Sequence, residues 1–275
     1  MVRHVVMPVL RMIAVLVGIT FLSFSLMFLG PGDPAEKYLA GGDGNKGMIS
    51  EEAIQAQREK WGLDKPFLVQ YGVWLSNVCR GNLGNSYSTG RPVIQELKKK
   101  AGPTVILAVT SMLICVTVSI PLGVLCAYRK DKLIDNVCRI FSFIGISLPS
   151  FLVSLLLLYF LSVQYHWFSI SGENGIKGLI LPVVVLAFQS SAKLIRQVRS
   201  VILTELGKPY VQGARARGAK KSRILFFHVL RNAWMPILTL VGIHFGIQLG
   251  GAAVVESIFS WQGLGQLAVS AVRSS

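Results

Sequence analysis

The chain has 275 residues, 52% of them hydrophobic and only 15% charged, against roughly a quarter charged in an average soluble domain. Long stretches carry no charge at all, which excludes a water-soluble globule. The net charge of +15 would point to nucleic acid in a soluble protein, but the basic residues flank apolar runs, so membrane topology accounts for them and no nucleic-acid partner is expected.

Five runs reach the about 20 residues that a membrane helix needs: 5–29, 101–128, 140–165, 178–199 and 234–255. Arg3 precedes the first run and Arg11 lies near its start. Its uncharged part, 12–29, exceeds the roughly 7–15 residues of a signal-peptide core and no A-x-A-like site follows, so it reads as an uncleaved transmembrane helix ending at a turn over 30–34. Residues 31–100 read as a small helical cap. Ser50-Glu51-Glu52 opens one helix and Gly62 ends it, and a second runs over 66–78. Pro121 and Pro149 lie within or at the edges of the second and third spans, as kinks or helix ends. His244 is the one titratable residue of the fifth span. Beyond it, 266–272 is apolar but too short to cross.

Orientation follows from the short loops. The loop 129–139 holds four basic residues, 164–177 holds only Lys177, and 193–231 holds ten. The two basic loops are therefore expected in the cytoplasm, and the N-terminus with them. This puts 31–100 outside despite Lys98-Lys99-Lys100; the rule is weak for long loops.

Little in the chain suggests catalysis. There is no HExxH, GxSxG or Walker A loop, and the four cysteines form no CxxC or Cys/His cluster. His244 and Glu256 are the one candidate pair for an intramembrane enzyme, but twelve residues on a helix separate them by about 18 Å.

The most informative segment is cytoplasmic. It runs Tyr210-Val211-Gln212-Gly213-Ala214-Arg215-Ala216-Arg217-Gly218-Ala219 and continues through His228 to Arg231-Asn232-Ala233-Trp234-Met235-Pro236. On a helix Ala214 and Gly218 stack at i and i+4, giving a small-residue surface on which another protein can dock. Gly218 can end that helix and a second can start near Lys221. The plainer alternative is a solvated basic loop.

Small-x-x-x-Gly before a basic helix and a proline resembles the coupling segment of ABC importer permeases. The family form E-A-A-x-x-x-G corresponds to Gln212, Gly213, Ala214 and Gly218, with the glutamate and first alanine replaced. Y-V-x-x-A-R-A-x-G followed by H-x-L-R-N-A is similar to the peptide and nickel branch. Further fragments keep the family's order: Gly32-Asp33-Pro34-Ala35, Leu63-Asp64-Lys65-Pro66, Leu83-Gly84-Asn85-Ser86, Pro121-Leu122-Gly123, Ser147-Leu148-Pro149, Gly250-Gly251, and Glu256 with Trp261-x-Gly263-Leu264-Gly265.

The resemblance implies an all-α integral membrane protein with six transmembrane helices, five of them visible here, so that the chain is expected to be short of the sixth. The implied organisation is a first helix over 1–30, an extracytoplasmic cap over 31–100 and a permease core over 101–275 with its coupling segment at 200–233. Implied partners are a second homologous permease, two cytoplasmic ATPases carrying ATP and magnesium, an extracytoplasmic binding protein and the lipid of a bacterial inner membrane. No cofactor and no catalytic site are expected on this chain. Tyr210, Gly213, Ala214, Arg215, Ala216, Arg217, Gly218 and His228 are the expected ATPase-coupling residues. His244, Gln248 and Glu256 are candidates for the substrate path. Imidazole is a good nickel ligand, so His244 is also the metal candidate. The expected cargo is nickel, free or chelated, with short peptides as the alternative.

Overall fold

Helices make up the regular structure of the described residues, apart from one isolated bridge between Asn85 and Pro92. The computed structural model describes residues 2–30, 33–39, 50–86, 89–169 and 175–274. It divides into two units, Met1–Lys99 with Ser270–Ser275, and Lys100–Val269. Pro31 and Gly32 of the expected turn, and 170–174 of the short loop after the third span, lie outside the described residues.

In the first unit, α1 (Val2–Leu29) carries no charge beyond Arg11, and none of its most apolar stretch is buried within the chain. Short helix α2 (Pro34–Leu39) follows. Helix α3 (Glu51–Trp61) begins and ends as its sequence demands. The Ser50 hydroxyl accepts from the Ala53 amide, and Gly62 takes the left-handed conformation (φ 67°) that closes the last turn. Helix α4 (Phe67–Cys79) matches the expected second helix. Phe21, Phe24 and Phe28 recur on one face of α1 and meet Phe67, Tyr71 and Trp74 of α4 at ring separations of 5.1 to 6.0 Å. Each such pair adds about 0.5–1.5 kcal/mol beyond its buried area.

In the second unit the expected spans are present but redrawn. Helix α5 (Val93–Tyr128) starts eight residues before the apolar run at 101, because Val93, Ile94 and Leu97 already keep helical spacing among good helix formers. The third span is not one straight helix over 140–165. It is α6 (Leu133–Ser147) and α7 (Ser150–Leu157), the latter prolonged by a π-helical turn, Leu158–Gln164, and the two are bent by 99°. Pro149 has no amide to donate, and its ring pushes Leu148 into an extended conformation. The carbonyl freed at Leu148 accepts from Gln189 Nε2 at 2.8 Å. By length and composition four helices can cross a membrane, or five if the bent pair is one span.

Helix α8 (Ile176–Leu206) is the centre of this unit, with 56% of its most apolar window buried. Helices α5 and α6 approach it through glycines. A Cβ on Gly123 would stand 2.7 Å from Val198 Cβ, and one on Gly145 2.6 Å from Ala192 Cβ, closer than carbon atoms pack, so only glycine allows these crossings. After α8 come α9 (Pro209–Ala216) and α10 (Lys221–Arg223). The latter runs through a π-helical turn, Ile224–Val229, into α11 (Leu230–Ile258) without a break. The helix expected to begin near Lys221 is therefore the foot of the fifth span. Short α12 (Leu264–Ser274) follows it.

Candidate functional site

The segment joining α8 to α11 is held in place at its root. Pro209 occupies the first turn of α9, where its missing amide hydrogen costs nothing. Buried Glu205 accepts from Lys208 Nζ at 2.6 Å and from Tyr210 Oη at 2.9 Å. The Glu205 carboxylate raises the Lys208 pKa, and burial raises that of the Tyr210 hydroxyl.

Helix α9 stops at Ala216, and Gly218 lies beyond it with φ 79°. Gly218 donates to Arg215 O and Ala219 to Ala214 O, which closes the helix end. Ala214 and Gly218 therefore do not stack on one helix, contrary to the expectation. Ala214 and Val211 instead face inward, in a core with Val198, Ile202, Ile224 and Leu225. The alanine is small because α9 lies close against α8 and the foot of α11. What α9 exposes is Gln212 and the tip Arg215, Ala216, Arg217 and Gly218, while Tyr210 and Gly213 are half-buried. His228 is exposed in the π-helical turn below α11.

His244, Gln248 and Glu256 share one buried face of α11, with 5%, 4% and 0% of their surface exposed. His244 Nε2 donates to Gln197 Oε1 on α8 at 2.6 Å. The Gln248 amide donates to the Ser111 hydroxyl of α5, and its own Oε1 has no partner. Glu256 is fully buried and bonded within the chain. Its carboxyl accepts from Thr104 Oγ1 and the Gly265 amide, both at 2.7 Å, and from the Gln266 amide at 3.1 Å. Thr104 Oγ1 in turn accepts from the Leu264 amide at 2.8 Å, and Trp261 Nε1 donates to Pro103 O at 3.1 Å. Glu256 thus caps α12 and ties it to α5. His244 and Glu256 answer to different partners and form no acid–base pair. Among the described residues no three His, Cys, Asp or Glu side chains are grouped to hold a metal ion.

Sequence reading missed a buried ion pair. Asp135 of α6 is fully buried and takes two bonds from Arg199 of α8, at 2.6 and 2.7 Å, and one from the Asp131 amide at 2.9 Å. The one hint was a pair of acids, Asp131 and Asp135, inside an otherwise basic loop. Gln197, Ser111 and Thr104 were missed too, since nothing marks a lone polar residue in an apolar run as a partner.

The family profile described as "Binding-protein-dependent transport system inner membrane component" matches residues 119–275, and its N-terminal counterpart matches 1–108. The oligopeptide transport system permease protein AppB of Bacillus subtilis is 38% identical, covering 98% of this chain and 87% of its own length. The nickel import system permease protein NikB of Staphylococcus aureus is 34% identical, covering 99% and 81%. Among solved structures, a chain of the methionine ABC transporter MetNI in an inward-facing conformation aligns with a TM-score of 0.52 at 18% identity, over 64% of this chain and 80% of that one; this likeness is one of fold.

Proposed function

The chain belongs to the binding-protein-dependent transport system inner membrane component family, and on that premise we propose that its α9 tip couples partner ATPases to the movement of α8 and α11 during import of short peptides. As an ABC importer permease subunit it is a multi-pass membrane protein and carries no ATPase site of its own. One observation carries the coupling reading. The tip Arg215–Gly218 is exposed between two helices that are each continuous with a span and packed on one another. Force applied at α9 is thereby delivered to both, which makes it a rigid-body lever.

The partners in this reading are two cytoplasmic ATPases holding ATP and magnesium, a second permease and an extracytoplasmic binding protein, with the N-terminus in the cytoplasm of a bacterial cell whose inner membrane houses the assembly. In this reading the segment between α1 and α5, with α2, α3 and α4 in it, is extracytoplasmic. Gly218→Trp is expected to weaken ATPase capture about tenfold, through bulk at the tip and the roughly 1–2 kcal/mol strain of a side chain at positive φ. Membrane insertion should be unchanged. A detergent pull-down with native-level ATPase recovery would sink the assignment.

Peptide cargo is supported by the similarity to AppB and by the chemistry of the spans. On α8, Ser190, Gln197 and Ser200 keep hydroxyl and amide groups at least partly exposed, groups that can hydrogen-bond to a peptide. Nickel is the second reading, favoured by the His244 imidazole inside a span and by the similarity to NikB. Uptake of radioactive nickel and of a labelled dipeptide by the complete transporter separates them. The expected result is dipeptide uptake, with His244→Ala lowering it through the lost bond to Gln197. Nickel uptake abolished by His244→Ala would reverse the choice.

A further inference from the structure

The exposed faces of the long helices in the second unit differ in kind. Between 105 and 118, α5 exposes Val105, Ile106, Val109, Leu113, Ile114 and Val118; Thr117, the one polar exception, bonds back to the Leu113 carbonyl. That is a lipid-compatible face. Helix α8 reverses the pattern. From 189 to 200 its buried positions are Ser191, Ala192, Leu194, Ile195 and Val198, and every other position is polar: Gln189, Ser190, Lys193, Arg196, Gln197, Arg199 and Ser200. The stripe is about 16 Å long. Lys193, counted above with the cytoplasmic loop, is part of α8, which runs on to Leu206; if α8 enters the bilayer at its first turn, Gln189 and Lys193 lie about 20 and 26 Å along it, inside a hydrocarbon core of roughly 30 Å. Polar side chains at such depth face water or protein, not lipid tails.

Two cations in this stripe are uncompensated. Arg199 is spent on Asp135, whereas Lys193 and Arg196 are exposed and make no ion pair or hydrogen bond among the described residues. The described acids of this unit have other partners. Asp135 holds Arg199, Glu205 holds Lys208, Asp131 is beside Arg139, and Glu256 binds Thr104 and two backbone amides. Lys193 also lies one turn before Gln197, which bonds His244, and stands within electrostatic reach of that imidazole.

We propose that the polar stripe of α8 lines the translocation path and that Lys193, supported by Arg196, engages the carboxylate of the cargo, the C-terminal carboxylate of a short peptide. This rests on the peptide reading above. An anionic cargo group supplies the charge these cations lack, and an exposed ammonium holds it loosely enough to release it.

Two measurements on the complete transporter in vesicles test it. Lys193→Cys and Arg196→Cys are expected to react with a charged, membrane-impermeant maleimide, while Val109→Cys and Leu113→Cys stay protected, because only a water-exposed thiol forms the reactive thiolate. Protection at 193 and 196 overturns the lining. In uptake assays, Lys193→Gln is expected to slow a free-acid dipeptide about tenfold or more, the loss of a charge-assisted bond. Lys193→Arg should restore it, and the slower uptake of the C-terminal amide should not change. An equal defect for acid and amide overturns carboxylate recognition. If that equal defect appears only when phosphatidylglycerol is added to phosphatidylcholine vesicles, the cation serves a lipid headgroup. A native transporter that imports neither peptide refutes the peptide reading and the carboxylate assignment with it, whereas labelling at 193 still upholds the water-lined stripe.

Discussion

Replacing Asp135 by alanine is expected to destabilise the permease by about 3–5 kcal/mol, the range for breaking a buried ion pair from one side. Asp135 is fully buried and Arg199 keeps 18% of its side chain exposed. Removing the carboxylate leaves a largely buried guanidinium between α6 and α8 without its counter-charge. It also takes the acceptor from the Asp131 amide, which sets the turn between α5 and α6, where Asp131 has φ 62°. The apparent unfolding free energy of the purified protein in mixed micelles checks the magnitude. Arg199→Ala alone should be nearly as harmful. Asp135→Leu combined with Arg199→Met should recover most of the loss, since no charge is then left unpaired. Single and double variants falling by the same amount would show that the site matters through packing and not through charge.

Glu256→Ala removes the acceptor for three donors at once, Thr104 Oγ1 and the Gly265 and Gln266 amides. Each buried donor left unmet costs about 1–3 kcal/mol. The first turn of α12 should come loose, because that carboxyl is what caps it. Hydrogen exchange at Gly265 and Gln266 is expected to quicken by about thirtyfold or more, the factor corresponding to some 2 kcal/mol. Glu256→Gln, which keeps one acceptor oxygen, should fall between. The cap admits little else. A Cβ on Gly263 would collide with the Glu256 carboxyl, and one on Gly265 with the Ala253 backbone. This explains why Glu256, Gly263 and Gly265 occur together in W-x-G-L-G and its approach. Native exchange rates in Glu256→Ala would place the anchoring of α12 elsewhere.

Glu256 and Ala214 show where sequence reasoning about the site stops. Both stand among the expected site residues, and both were given an outward task. A buried glutamate in an apolar run suggests a cation because its backbone donors, nine and ten residues on, are invisible until the chain turns back. An alanine before a glycine suggests a docking surface because nothing local says which face of an eight-residue helix is packed. His244 and Gln248, four residues apart, share one buried face, but Gln197 and Ser111, their partners, could not be read.

By itself the sequence determined which stretches can enter a membrane, where α3 starts and stops, and which family the chain belongs to. These depend on transfer free energies that add along consecutive residues, on caps within one turn, and on ordered motifs. Tertiary structure alone decided that the break marked by Pro149 is a bend of 99°, that Arg199 is spent on Asp135 while Lys193 is left uncompensated, and that Glu256 caps α12. The bonds concerned join residues 64 and 152 positions apart. Hydropathy gives a helix its environment; only the packing of α5, α6 and α11 around α8 determines which polar groups meet inside the bundle and which remain on its surface.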